Sequence, residues 1–164
     1  MTLLALIAAL ALRSVDFVTG AMMPMTTVYT GCGGKNASPA LRWSDVPTRT
    51  RSFILTVHDI DAPKPGGFWH WIAYNIPPAA RGLAADGGKR ATGATGTFAT
   101  NDFGNKRYDG PCPPPGHPHR YVFTIYALTV PHVMIGDGKE VQPAIKGRVI
   151  EYAQLIGRWG RSGK

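Results

Sequence analysis

The sequence predicts a mainly β fold closed by one C-terminal helix. Three observations predict it. Gly (20) and Pro (14) make up about a fifth of the 164 residues. That excludes a helical bundle, because neither suits helix interiors, yet it falls short of a collagen-like or disordered composition. Hydrophobic residues reach 44%, enough for one core. Finally, Ser52 to Asp59, Phe68 to Ile76 and residues 120–130 are dense in β-branched and aromatic residues.

Taken in order, Leu3 to Leu12 is wholly apolar, too short to span a membrane as a helix. Three readings stand for residues 1–11: a shortened export signal, a first strand, or an apolar surface tail. Export and cytoplasmic residence are left equally open. Residues 12–164 read as one domain. Residues 16–25 read as loop and Val28 to Thr30 as a short strand. Residues 31–39 form a turn cluster, and Leu41 to Trp43 a strand. In the strand Ser52 to Asp59, residues Phe53, Leu55 and Val57 share one face, and Asp59 and Asp61 share their parity. After the turn over residues 61–67, Phe68 to Ile76 is the second strong strand. Bulk on both faces places these two strands centrally. Residues 81–105 form a long loop, and Gly110 to Pro118 is too proline-rich for helix or central strand. Residues 120–130 form the third strong strand. Val141, Ile145, Val149, Tyr152, Ile156 and Trp159 are spaced 4, 4, 3, 4 and 3, which predicts a helix of about five turns. Pro143 suits its start, and Gly157 and Gly160 its end.

The formal charge is +8. Its basic residues are scattered, so a solvated basic face is the reading, not nucleic-acid binding. No segment is long enough for a transmembrane span. Chemistry-bearing residues are few. A hairpin centred between Lys64 and Pro65 would set Asp59 across from His70. His119 opens the third strong strand, with Tyr121 on its face. Asp beside His fixes a ring tautomer. Two histidines, a tyrosine hydroxyl and loop N–H groups would suit a phosphate or carboxylate. Plainer readings are Asp59 and Asp61 as turn acceptors, His70 as a core histidine and His117 as loop. No Gly-x-Ser-x-Gly elbow occurs. Cys112 sits in a proline-locked loop with no activating base in view. His117-Pro-His119 lacks the downstream acid of a cupin metal motif. A metal set of Asp59, His70 and His119 remains open on ligand types.

Four ordered blocks carry a resemblance: Cys32-Gly-Gly-Lys-Asn-Ala-Ser-Pro39, Asp59-Ile-Asp-Ala-Pro63, Phe68-Trp-His-Trp71, and Tyr108-Asp-Gly-Pro-Cys-Pro-Pro-Pro-Gly116 with His119-Arg-Tyr121. Together they resemble the phosphatidylethanolamine-binding protein family, in its bacterial and archaeal Raf-kinase-inhibitor-like branch. The resemblance implies a β-sandwich-like domain with a large antiparallel sheet, a smaller sheet and peripheral helices. It implies a non-enzymatic pocket for small anions such as phosphate, acetate or phosphoethanolamine headgroups, with no cofactor. Its pocket residues match Asp59, Asp61, His70, Gly110, Pro113, His119 and Tyr121. A cis Ala62–Pro63 bond, aiming Asp61 into the pocket, is also implied. So is a Cys32–Cys112 disulfide, conditional on export. Two alternatives stand beside this. One is a protease or kinase inhibitor acting on a protein partner through loops 81–105 and 110–118. The other is a metal-dependent hydrolase. Oligomeric state stays open, with a homodimer among the options.

Overall fold

A computed structural model describes residues 8–162. Its framework is two antiparallel sheets. The smaller contains β1 (Ala11–Ser14), β2 (Leu41–Ser44) and β5 (Gly82–Leu83), in the order β1-β2-β5. The larger contains β3 (Ser52–Asp59), β4 (Phe68–Ile76), β6 (Thr97–Phe98), β7 (His119–Leu128) and β8 (Val149–Trp159), in the order β6-β4-β3-β7-β8. A single turn and a half of helix, α1 (Val141–Ile145), precedes β8. The mainly β class, the two sheets and a C-terminal helix are therefore present.

Central placement of β3 follows from its content. Seven of its eight residues are buried, so both of its faces need cover. Odd residues Phe53, Leu55 and Val57 join Phe123, Ile125 and Trp71 in a core closed by Leu12, Leu41 and Trp43 of the small sheet. Even residues such as Ile54, with Ile72 and Leu128, form a second core under Val133, Ile135, Val141 and Ile145. Burial of these apolar side chains, each stabilising by about 1.5–3 kcal/mol, holds the layers together.

Several sequence expectations are corrected. The five-turn helix over residues 141–159 is not formed. α1 ends at Ile145, and Gly147, at φ +72°, turns the chain into β8. That strand pairs with β7 from His119↔Trp159 to Leu128↔Val149. The stripe mixes two faces of a strand: Trp159 is buried inward, whereas Tyr152 is 59% exposed. A helix there would leave β7 with an unpaired edge in the middle of the domain. Gly157 is not a helix end. It pairs with Tyr121, and a Cβ on it would meet Met23 and Phe17, which pack against the strand. Val28 is buried but not in a strand. The chain instead makes a 3-10 turn at Thr30–Cys32. Of the apolar N-terminal segment, residues 1–7 lie outside the described residues. Its remainder leads into β1, where Leu12 is buried, so the described end is strand. No helix among the described residues is long and apolar enough to cross a membrane.

Candidate anion-binding site

β3 and β7 run antiparallel with Asp59 opposite Tyr121. Both are buried, at the end of the inner face that Phe53, Leu55 and Val57 begin. Alternation alone therefore carries a carboxylate and a phenol to the rim of the core. His119 lies two residues before Tyr121, on the same face. Its Nδ1 is 2.7 Å from Asp59 Oδ2, and the other Asp59 oxygen accepts from the Asp61 amide at 3.0 Å. With Nδ1 donating to Asp59, the His119 ring leaves Nε2 as its other polar atom.

His70 arrives differently. Val57 pairs with Trp71 and His58 with Trp69, so His70 is the extra residue of a β-bulge. A bulge re-aims a side chain that strict alternation would send to the opposite face. Here Trp71 enters the inner core while His70, only 3% exposed, faces the pocket beside Tyr121 with ring centroids 5.1 Å apart. The symmetric hairpin expected from the sequence is thus corrected: Asp59 stands across from Phe68, not His70. His70 Nδ1 is 2.7 Å from the Asp109 carbonyl. Since a carbonyl only accepts, Nδ1 carries the proton.

These groups line a pocket of about 320 Å³ with Pro63, Phe68, Phe103, Cys112, Pro113 and Pro114. Lys64 sits at its mouth, its Nζ 5.3 Å above the Phe68 ring and 2.7 Å from Asp102 Oδ2. In the pocket the Tyr121 hydroxyl is buried beside the Asp59 carboxylate. Its pKa is raised by burial and further by the Asp59 charge, so it stays protonated. Cys112 in the wall is joined to Cys32 as a disulfide, with Cα atoms 5.6 Å apart.

Two expected pocket residues are elsewhere. No cis peptide bond occurs among the described residues, so Ala62–Pro63 is trans. Asp61 turns outward and accepts from Arg120: the backbone N–H at 2.8 Å, Nε at 2.9 Å and Nη2 at 2.7 Å. Those bonds hold its carboxyl down at about 2. Gly110 supports the wall instead of lining it. Its N–H donates to Asn36 Oδ1 at 2.7 Å, and a Cβ there would overlap the Thr27 carbonyl.

Sequence reasoning missed Asp109. Its fully buried carboxylate accepts from four side chains. Asn36 Nδ2 and Arg107 Nε reach Oδ1, both at 2.9 Å, while Asn101 and Asn105 Nδ2 reach Oδ2 at 2.9 and 2.8 Å. Burial pushes its pKa up, but these bonds outweigh it and the net shift is downward. The hint was an Asp preceded by Asn at 101 and 105 in a segment poor in apolar residues. Pairing such residues across 73 positions, as with Asn36, has no local signature.

Burial lowers the pKa of His70 from 6.5, outweighing the Asp109 carbonyl bond, and it lowers that of His58 in the same way. Below the unfolded value the denatured chain takes up protons that the folded rings resist, so stability falls with pH. Urea unfolding is expected to show a lower midpoint at about pH 5.5 than at about pH 7.5. A midpoint that rises on acidification would contradict neutral burial of these rings.

Among the described residues no three His, Cys, Asp or Glu side chains form a metal-binding group. The pocket offers donors, acceptors and an aromatic-proline collar, suited to holding a small polar group away from bulk water.

The comparisons agree with this architecture. The family model described as phosphatidylethanolamine-binding protein matches residues 13–160. A UPF0098 protein of Aquifex aeolicus is 41% identical over 150 residues, covering 89% of this chain and 85% of its own. YbhB of Escherichia coli, also a UPF0098 protein, is 40% identical over 131 residues, covering 77% and 83%. The crystal structure of Escherichia coli YbcL, described as a new member of the mammalian PEBP family, superposes with a TM-score of 0.87 at 34% identity, covering 93% of this chain and 99% of that one. The PEBP homologue CT736 of Chlamydia trachomatis gives a TM-score of 0.80 at 33% identity, covering 94% and 99%. With the family model matched along nearly the whole length and these relatives sharing the fold, the chain belongs to the phosphatidylethanolamine-binding protein family, whose members are named for binding.

Proposed function

We propose that the chain binds a small oxyanion, a phosphate or carboxylate group free or carried on a headgroup, in the pocket of Asp59, His70, His119 and Tyr121. The observation that carries this reading is the convergence of Asp59, His70, His119 and Tyr121 on one pocket of about 320 Å³. The Tyr121 hydroxyl, buried beside the Asp59 carboxylate, is one donor for an oxyanion oxygen. His119 Nε2 adds a second donor when its ring is protonated, with the Asp59 carboxylate behind it as counter-ion. Lys64 at the mouth adds positive charge along the way in. The collar of Phe68, Phe103 and Pro113 excludes water and strengthens each polar contact. The reading assigns no catalytic residue.

Titration with millimolar phosphate or phosphoethanolamine is expected to shift the ring NMR signals of His70 and His119 and to leave His132, on the far surface near Asn75, unmoved. If both pocket histidines stay still, the reading is wrong.

A further inference from the structure

The large sheet has a second face, away from the small sheet and the anion pocket. Even-numbered residues of β3, β7 and β8 point to it. α1 and residues 133–145 cover one half, where the sheet offers Ile54, Ile72 and Leu128. The other half is a groove of about 470 Å³. Three rows of cross-strand neighbours cross this face: Ile54, Tyr126 and Tyr152, then Thr56, Thr124 and Gln154, then His58, Val122 and Ile156. The middle row carries only hydroxyls and an amide, with Gln154 Nε2 donating to Thr124 Oγ1 at 3.2 Å. Aromatic and aliphatic groups flank it on both sides. At one end the Tyr126 hydroxyl lies between Thr124 and Gln142 of α1. At the other, His58 stacks on Trp69 with ring centroids 4.0 Å apart. Gly67, where a Cβ would strike the His58 ring, lets the β3–β4 turn close against it as a wall. His58 Nε2 is 2.7 Å from the Gly66 carbonyl, so Nε2 holds the proton and Nδ1 is an acceptor.

Among the described residues no Asp, Glu, Lys or Arg lines this groove, in a chain of formal charge +8. Burial lowers the His58 pKa, so its ring is neutral too at neutral pH. A charged ligand would give up water for walls with no counter-charge. A wholly apolar ligand would cover Thr124 and Gln154 without pairing their free donors and acceptors. Hydroxyls and amides each donate and accept, which matches a ligand rich in hydroxyls, and the flanking rows match its C–H faces. We propose that the groove binds an uncharged saccharide, with its hydroxyls on Thr124, Gln142 and Gln154 and its C–H faces against Val122, Tyr126 and Ile156. The site is separate from the anion pocket. His58 and Asp59 are consecutive, yet strand alternation sends them to opposite faces of the sheet, so each site is tested without the other.

The test is NMR titration with cellobiose, maltotriose and diacetylchitobiose, each to about 20 mM. At least one is expected to shift the Trp69 indole N–H, the His58 ring and the Gln142 and Gln154 side-chain amides, and to leave the His70 and His119 rings unmoved. Its affinity is expected to be the same at about 50 and about 500 mM salt. Trigalacturonate, an acidic saccharide, is expected to bind no more tightly. Thr124→Val and Gln154→Leu are each expected to weaken the best neutral probe at least about fivefold, the worth of one hydrogen bond. Gln154 is exposed, so its substitution leaves the fold intact, and a urea midpoint checks this for both variants. Unmoved groove signals with all three neutral probes, shifts confined to His70 and His119, tighter binding of trigalacturonate, or full affinity in Gln154→Leu overturns the proposal. So does movement of the groove signals with protein concentration alone, which would make a second copy of the chain the occupant.

Discussion

Reducing the Cys32–Cys112 disulfide is expected to lower the unfolding free energy by about 4 kcal/mol, and unreduced protein is expected to titrate no free thiol. The bridge closes a loop of 80 residues. The loop-entropy relation gives about 4.5 kcal/mol for that length, and compactness of the denatured chain trims it. Small domains are stable by only about 5–15 kcal/mol, so this one bond carries a large share. It also joins two pieces of the site. Cys32 ends a 3-10 turn stopped by Gly33 at φ +85°, and Cys112 is in the pocket wall. The Tyr29 amide donates to the Pro111 carbonyl at 3.0 Å beside it, so the wall retains one anchor when the bridge is cut. Thiol counting and urea unfolding with and without reductant decide the matter, with Cys32→Ser/Cys112→Ser as the matching variant. Two reactive thiols in unreduced protein, or an unchanged urea midpoint, would falsify this expectation.

Asp109→Ala is expected to cost about 3 kcal/mol and to weaken ligand binding at least about tenfold. Four side chains converge on this carboxylate, and three of them are amides in a setting with little water to replace the lost acceptor. Asn101 matters most among them. Its Oδ1 accepts from the Phe103 and Asn105 amides at 3.0 and 2.9 Å, so it shapes the turn that places Phe103 against His70. Arg107 is 44% exposed, so Arg107→Ala is expected to cost under about 1 kcal/mol. The pair of variants separates the buried amide clamp from the exposed ion pair. The sign with pH is also defined. A depressed carboxyl pKa stabilises the fold above the unfolded value of 3.8 and ceases to do so as pH falls through the folded value. Equal, small effects of the two substitutions on the urea midpoint would show that the clamp is decorative.

Much of the site was legible because strand alternation is a local rule. The bounds of β3 and β4 match the β-branched and aromatic runs that predict them. Parity along β3 put Asp59 with Phe53, Leu55 and Val57, and parity along the third strong run put His119 with Tyr121. Those two facts suffice to bring Asp59, His119 and Tyr121 together once β3 and β7 pair. His70 was legible as a candidate but not as a position: the hairpin pairs Asp59 with Phe68, two residues from the expected partner, and a bulge then aims the His70 ring. Turn composition indicated bending backbone in residues 110–118, yet not that Gly110 presses on the Thr27 carbonyl while Pro113 reaches the pocket.

β8 shows the opposite limit. Apolar residues at spacings of 3 and 4 fit a helix, but Val149, Tyr152, Ile156 and Trp159 also suit a strand. Only the open edge of β7, created by the rest of the sheet, chooses between them.

By itself the sequence determined the mainly β class, the three central strands, the turn-rich walls and the residue types of the pocket, since propensity, alternation and turn chemistry act over a few residues. Tertiary structure alone decided the bulge that aims His70, the strand that replaced a helix, the outward turn of Asp61 onto Arg120 and the four-sided clamp on Asp109. Each of these depends on partners brought together by long-range pairing, where the free energy of completing a ladder or satisfying a buried charge outweighs any local preference.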